Sequence, residues 1–151
     1  MVAEISRRRT IAAAPLAVWD VLADFGAIAG WAPGVDHSCV LRTDPDGPLG
    51  TTRRVQVGRL TLVESITEFT PSRALAYDIA GLPRQLRHVS NRWTLQPANA
   101  GAGTDVTLTS TVDLGAGPLR TLAARVVCRV LAHSSDSMLA GLAQQWESTH
   151  V

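Results

Sequence analysis

The last third of the chain constrains the fold most. Between residues 117 and 146 the apolar side chains fall at Leu119, Leu122, Ala123, Val126, Val127, Val130, Leu131, Met138 and Leu142. That is the three-and-four spacing of one long amphipathic helix. Pro118 suits its first turn, and Arg120, Arg125 and Arg129 keep to the other side. The two halves differ. The first is expected to bury branched aliphatics, whereas the second puts Ser134, Ser137 and Gly141 on or near the inner face. A glycine inside a helix costs about 1 kcal/mol relative to alanine, so Gly141 needs a reason. Either another element approaches closely there, or the small residues leave room for something that is not protein. A helix of this length cannot cover its own stripe, so the rest of the chain has to wrap it.

The chain before it supplies the wrapping. Residues 2–11 read as a strand, and Arg7-Arg8-Arg9 within it are expected to guard an exposed sheet edge. Pro15 then sits at a plausible helix start, with Val18, Trp19, Leu22 and Phe25 on one side. Gly26 breaks that helix, a second short one runs from Ile28 to about Trp31, and Pro33-Gly34 ends it. Six strands are predicted next, at 35–43, 50–57, 60–69, 73–80, 86–96 and 104–114, separated by turn signals such as Gly58-Arg59 and the 97–103 loop. Hairpin-length connections imply antiparallel pairing in a meander. The expected architecture is α+β: a seven-stranded antiparallel sheet, curved by its twist, around a long C-terminal helix. Two short helices after the first strand would plug one end.

This order resembles the START-related (SRPBCC) superfamily. The segments that carry the likeness are VWDVLADFGAIAGWAPGV at 18–35, LVESITEFTPSRALAYDI at 62–79, and NRWTLQP at 91–97 with GTDVTLTSTVDL at 103–114. Bet v 1 allergens, polyketide cyclase/dehydrase-like proteins and coenzyme Q-binding START proteins belong to that superfamily. The resemblance covers essentially the whole chain, residues 1–151 as one domain, and implies the helix-grip fold. It also implies a cavity between sheet and helix that receives a hydrophobic small molecule.

Composition narrows the partners. At 151 residues, 46% hydrophobic, 18% charged and net charge +1, the chain is globular and offers no electrostatic case for nucleic acid. No apolar run approaches a membrane span, so stable insertion is not expected, and no secretory signal opens the sequence. Cys39 and Cys128 read as two lone reduced thiols, and a cytoplasmic location is expected. A homodimer is left open. The histidines His37, His88, His133 and His150 show no metal-ligand spacing, and His37 with Cys39 lacks third and fourth ligands, so neither a metal nor another cofactor is expected. Phosphate-loop and serine-hydrolase patterns are missing as well.

Register locates the polar residues that matter. If Gly58-Arg59 is a two-residue turn, Val57 pairs with Leu60 and Arg53 with Glu64. Alternation then points Arg53, Val55, Val57, Leu60, Leu62, Glu64 and Ile66 inward. The same argument turns in Leu75, Tyr77 and Ile79, then Arg87, Val89, Asn91, Trp93 and Leu95, then Val106, Leu108, Ser110 and Val112. Five polar groups thus interrupt an apolar face: Arg53, Glu64, Tyr77, Arg87 and Asn91. Two readings stay open. Arg53–Glu64 is a structural cross-strand pair with Arg87 reaching out to solvent, or these groups orient a ligand in a cavity. On the second reading the ligand contacts are Trp31, Arg53, Glu64, Tyr77, Arg87, Asn91, Val130, Ser134, Ser137 and Met138, with Trp31 at the mouth.

Two functions follow. One is binding or carriage of a lipid, quinone or polyketide-like aromatic. The other is a cyclase or dehydratase, with Glu64 or Tyr77 as acid/base and Arg53 or Arg87 as electrostatic partner. A carboxylate beside an arginine is expected to have its pKa lowered, which suits a structural role and favours binding over catalysis.

Overall fold

In the computed structural model, residues 2–115, 117 and 120–147 are described. Pro118, Leu119 and His150 lie outside them, as does the side chain of Arg120. Strands β1 (Val2–Ile11), β2 (His37–Asp44), β3 (Gly47–Val57), β4 (Leu60–Thr70), β5 (Ala74–Ala80), β6 (His88–Ala98) and β7 (Gly103–Asp113) form one sheet. Its order is β1-β7-β6-β5-β4-β3-β2, and every pairing is antiparallel. Helix α1 (Pro15–Ala23) and a 3-10 segment (Phe25–Gly30) follow β1, and α2 (Arg120–Glu147) ends the described chain. This is the helix-grip architecture expected from the order of elements.

Pro15 occupies the first turn of α1, where its missing N–H is no loss, and the helix buries Val18, Trp19 and Leu22. The second short element is a 3-10 segment rather than an α-helix. Gly26 within it has a reason: a Cβ there would meet the Val40 Cγ2 atom at 2.7 Å. Gly58 adopts φ 57°, as the first central position of a two-residue hairpin turn demands. The β3–β4 register is therefore Val57 opposite Leu60 and Arg53 opposite Glu64, as alternation predicts.

The concave face packs mainly against α1, the 3-10 segment and the C-terminal half of α2, where Leu139, Leu142 and Ala143 are buried. Trp19 meets Phe69 edge-on at 5.0 Å between ring centroids. A smaller cluster of Val89, Val112 and Leu114 takes up Ala124, Val127 and Leu131 of α2. The arginine triplet lies on edge strand β1, and two of its members reach the helix. Arg7 Nε and Nη2 donate to Asp136 at 2.8 and 2.9 Å, and Arg9 Nη2 donates to Glu147 at 3.2 Å.

Helix α2 corrects one expectation. Leu122, Val126 and Val130, assigned above to the buried stripe, are 65%, 59% and 62% exposed. The N-terminal half carries apolar residues around much of its circumference, so periodicity alone permits several inner faces. The sheet chooses the one with Ala124, Val127 and Leu131. Gly141 is resolved as well, in favour of close approach. A Cβ there would lie 2.5 Å from both the Trp31 carbonyl oxygen and Pro33 Cδ.

Candidate functional site

Between the concave sheet and α2 lies a cavity of about 350 Å³. Its walls are Val55 and Val57 of β3, Leu60, Leu62 and Glu64 of β4, Tyr77 and Ile79 of β5, Val89 and Asn91 of β6, and Ser110 of β7. Val130, Leu131, Ser134, Ser135 and Met138 of α2 close it, with Ile28, Pro33, Val35 and Leu82 at its ends. Two larger surface clefts exist. One runs over Glu68, Arg73 and Arg92, the other over Ser65, Asp78 and His88. Both involve outward-facing strand residues and charged rims, whereas the interior cavity is apolar with a few polar groups on one wall, as ligand sites usually are.

That wall begins with an ion pair. Arg53 and Glu64 are 2% and 5% exposed. Arg53 donates from Nε to Glu64 Oε1 at 2.7 Å and from Nη1 to the Phe25 carbonyl at 2.9 Å, and its Nη2 lies 2.7 Å from the same Glu64 oxygen. Its guanidinium carbon also lies 3.7 Å from the centre of the Phe25 ring and 4.6 Å from that of Tyr77. A buried guanidinium needs such company, since desolvation otherwise outweighs pairing. Arg53 is thereby spent on protein groups and does not line the cavity. Glu64 does, and both its contacts from Arg53 fall on Oε1. Among the described residues no hydrogen bond reaches Oε2.

The Glu64 pKa also departs from expectation: it is raised, not lowered. Burial favours the neutral carboxyl more strongly than the Arg53 charge and hydrogen bond favour the carboxylate. The sequence marks the Arg53–Glu64 pairing but not its depth, and depth sets the sign.

Next to the pair is a polar relay. Ser110 Oγ donates to Asn91 Oδ1 at 2.6 Å, Asn91 Nδ2 donates to the Tyr77 hydroxyl oxygen at 3.3 Å, and Trp93 Nε1 donates to the same oxygen at 3.2 Å. Two N–H donors occupy the phenolic oxygen as acceptor, so the Tyr77 proton is left to be donated elsewhere. Burial, seconded by the Glu64 charge, pushes the Tyr77 pKa up, so the phenol is a neutral donor at ordinary pH.

Of the ten ligand contacts expected from sequence, Glu64, Tyr77, Asn91, Val130, Ser134 and Met138 line the cavity. Arg53, Trp31, Arg87 and Ser137 do not. Trp31 is buried, meets Trp93 edge-on at 5.7 Å and carries an indole Nε1 that has no partner among the described residues. It belongs to the core rather than to a mouth. Arg87 is exposed and precedes β6, its backbone N–H donating to the Asp113 carbonyl and its guanidinium lying against Gly115. Strand β6 begins at His88 rather than at residue 86, so the alternation does not extend to Arg87, which reaches out to solvent. Ser135 and Leu82 join the lining without having been singled out, and Ser110 was placed inward without a role. The alternation Leu108, Ser110, Val112 is the signal that marks Ser110; a loop leucine and a mid-helix serine have none.

Similarity to known proteins agrees with the fold. The chain superposes on the Zhui aromatase/cyclase from Streptomyces sp. R1128 with TM-score 0.79, at 21% identity, covering 97% of this chain and 94% of that one. A START superfamily protein from Mycobacterium smegmatis gives TM-score 0.79 at 14% identity, covering 97% and 98%. The di-domain ARO/CYC StfQ from the steffimycin biosynthetic pathway gives 0.80 at 16% identity, covering 98% of this chain and 51% of that one. At these identities the likeness is one of fold. No functionally curated protein shows a significant match. The sequence profile described as "Polyketide cyclase / dehydrase and lipid transport" matches residues 2–147, nearly the whole chain, and the protein belongs to that family.

Proposed function

We propose that the protein binds and carries a hydrophobic small molecule, of lipid, quinone or polyketide-like aromatic type, in the cavity between sheet and α2. The observation that supports this most is the interior space of about 350 Å³, walled by aliphatic side chains and by a preformed hydrogen-bonding wall of Glu64, Tyr77, Asn91 and Ser110. A packed core would have little use for a carboxylate oxygen that no hydrogen bond reaches among the described residues, beside a phenol whose oxygen already accepts from two donors. Ser134 is exposed yet lines the cavity, so it stands at the rim. Ser134→Trp should leave thermal unfolding within a few degrees and abolish binding of an apolar fluorophore. A variant that unfolds normally and still binds the fluorophore in full would sink the reading.

The cyclase or dehydratase reading is favoured by one observation: the raised Glu64 pKa moves that carboxyl toward the range of a general base, with the neutral Tyr77 phenol as donor to an oxyanion. Arg53 is held by protein groups and would act only through Glu64. Turnover of an enolisable 1,3-diketone, lost in Tyr77→Phe while binding persists, would establish it; no turnover by the unaltered protein would refute it.

A further inference from the structure

The polar wall also says what kind of ligand fits, given the binding reading above. None of the cavity-lining residues is Lys, Arg or His. The nearest buried cation, Arg53, already has three of its nitrogens on Glu64 Oε1 and the Phe25 carbonyl, and the Phe25 and Tyr77 rings lie against its guanidinium. An anionic ligand would therefore enter without a counter-ion. It would also meet Glu64, whose Oε2 has no protein donor among the described residues. Protonating Glu64 to admit an anion would leave Arg53 a buried cation without a counter-charge, held only by the Phe25 carbonyl and two aromatic rings, which desolvation opposes. With Oε1 held on two guanidinium nitrogens of Arg53, the pair has the geometry of an ion pair, and the cavity sees the acceptor end of it.

Next to that acceptor stands a donor. The Tyr77 oxygen accepts from Asn91 and Trp93, which directs its own proton away from them, and Asn91 Nδ2 keeps a second N–H after serving Tyr77. The wall therefore offers one carboxylate oxygen that needs a donor and a phenol that needs an acceptor. A neutral hydroxyl satisfies both requirements in one group, giving its proton to Glu64 Oε2 and taking that of Tyr77. A hydroxyl-free apolar molecule leaves both unsatisfied, and a carboxylate leaves Glu64 opposed by like charge in a low-dielectric site.

We propose that the cavity selects neutral, hydroxyl-bearing apolar molecules, phenols and alcohols, and excludes carboxylates such as free fatty acids, with Glu64 and Tyr77 as the discriminating residues. Isothermal titration with three probes of one ring system tests it: 2-naphthol, 2-methoxynaphthalene and 2-naphthoate at neutral pH. The naphthol should bind about tenfold or more tighter than either of the others, that being the scale of one satisfied polar contact. Tyr77→Phe should narrow the gap between naphthol and the methyl ether. Because Glu64→Gln alone risks unfolding by leaving Arg53 unpaired, the charge test uses the double substitution Arg53→Met with Glu64→Gln, which removes both charges together. There the penalty on naphthoate should shrink while naphthol still binds. Ser134→Trp, which blocks the rim, should abolish all binding and so assigns it to this cavity. Equal affinities for the three probes, or naphthoate binding tightest, overturns the selectivity and leaves carriage standing. Failure of all three probes to bind overturns both.

Discussion

At the scale of single residues, the sequence raised one question about Gly141 and the structure answers it by contact. The glycine lets the Trp31 carbonyl and the Pro33 ring sit against α2, 2.5 Å from where a Cβ would be. One of those neighbours is backbone and cannot rotate away. Gly141→Ala, which would stabilise an open helix, should here cost about 1–3 kcal/mol, the range for overfilling a tight contact. Urea unfolding checks the sign: a gain in stability would mean that the segment from Trp31 to Pro33 does not press on α2. The buried pair Arg53–Glu64 shows the other side of residue-scale reasoning. Alternation was enough to put the two side chains opposite each other on the concave face. It could not say that Phe25 and Tyr77 would close over the guanidinium, since those contacts join residues distant in sequence.

At the scale of elements, α2 has two halves with different duties. Its C-terminal half buries Leu139 and Leu142 in the main core, while its N-terminal half rests on the smaller cluster and exposes Leu122, Val126 and Val130. Leu142→Ala should therefore destabilise by about 2–5 kcal/mol, as truncation of a fully enclosed leucine does. Leu122→Ser, about five turns toward the N-terminus, should stay within about 0.5 kcal/mol of the unaltered protein. Comparable losses at both positions in chemical denaturation would mean that the whole stripe is buried after all.

At the scale of the whole molecule, β1 and α2 close the structure between its ends. Edge strand β1 pairs with β7, and its Arg7 and Arg9 hold Asp136 and Glu147 on the helix. Acid titration integrates over the molecule and separates two carboxyls of opposite sign. Arg92 holds Glu68 below its ordinary value of 4.5, so its contribution is present above that value and is lost as pH falls through the folded-state pKa. Burial holds Glu64 above 4.5, so the folded state keeps that proton more tightly than the unfolded chain. Its contribution is greatest below 4.5 and declines as pH rises from there through the folded-state pKa. Unfolding free energies measured across this range should show a decline with rising pH that the double substitution Arg53→Met with Glu64→Gln removes. Glu68→Gln should instead flatten the acid limb, by a small amount because the pair is largely in solvent. Identical pH profiles for all three proteins would contradict both shifts.

What the sequence determined by itself is local or periodic. Pro15 starts a helix, Gly58 permits the tight turn, and once that turn exists a period of two assigns the inward residues of the polar wall, Glu64, Tyr77, Asn91 and Ser110. A bulge between Ile66 and Glu68 breaks the alternation further along β4. The family likeness adds the meaning of that order. Tertiary structure alone decided which of several apolar faces α2 turns inward, that Trp31 is core, and that Arg87 falls just outside β6. It also decided that burial outweighs Arg53 at Glu64. Each of these depends on how closely distant segments approach, and neither spacing nor alternation carries information about distance across a fold.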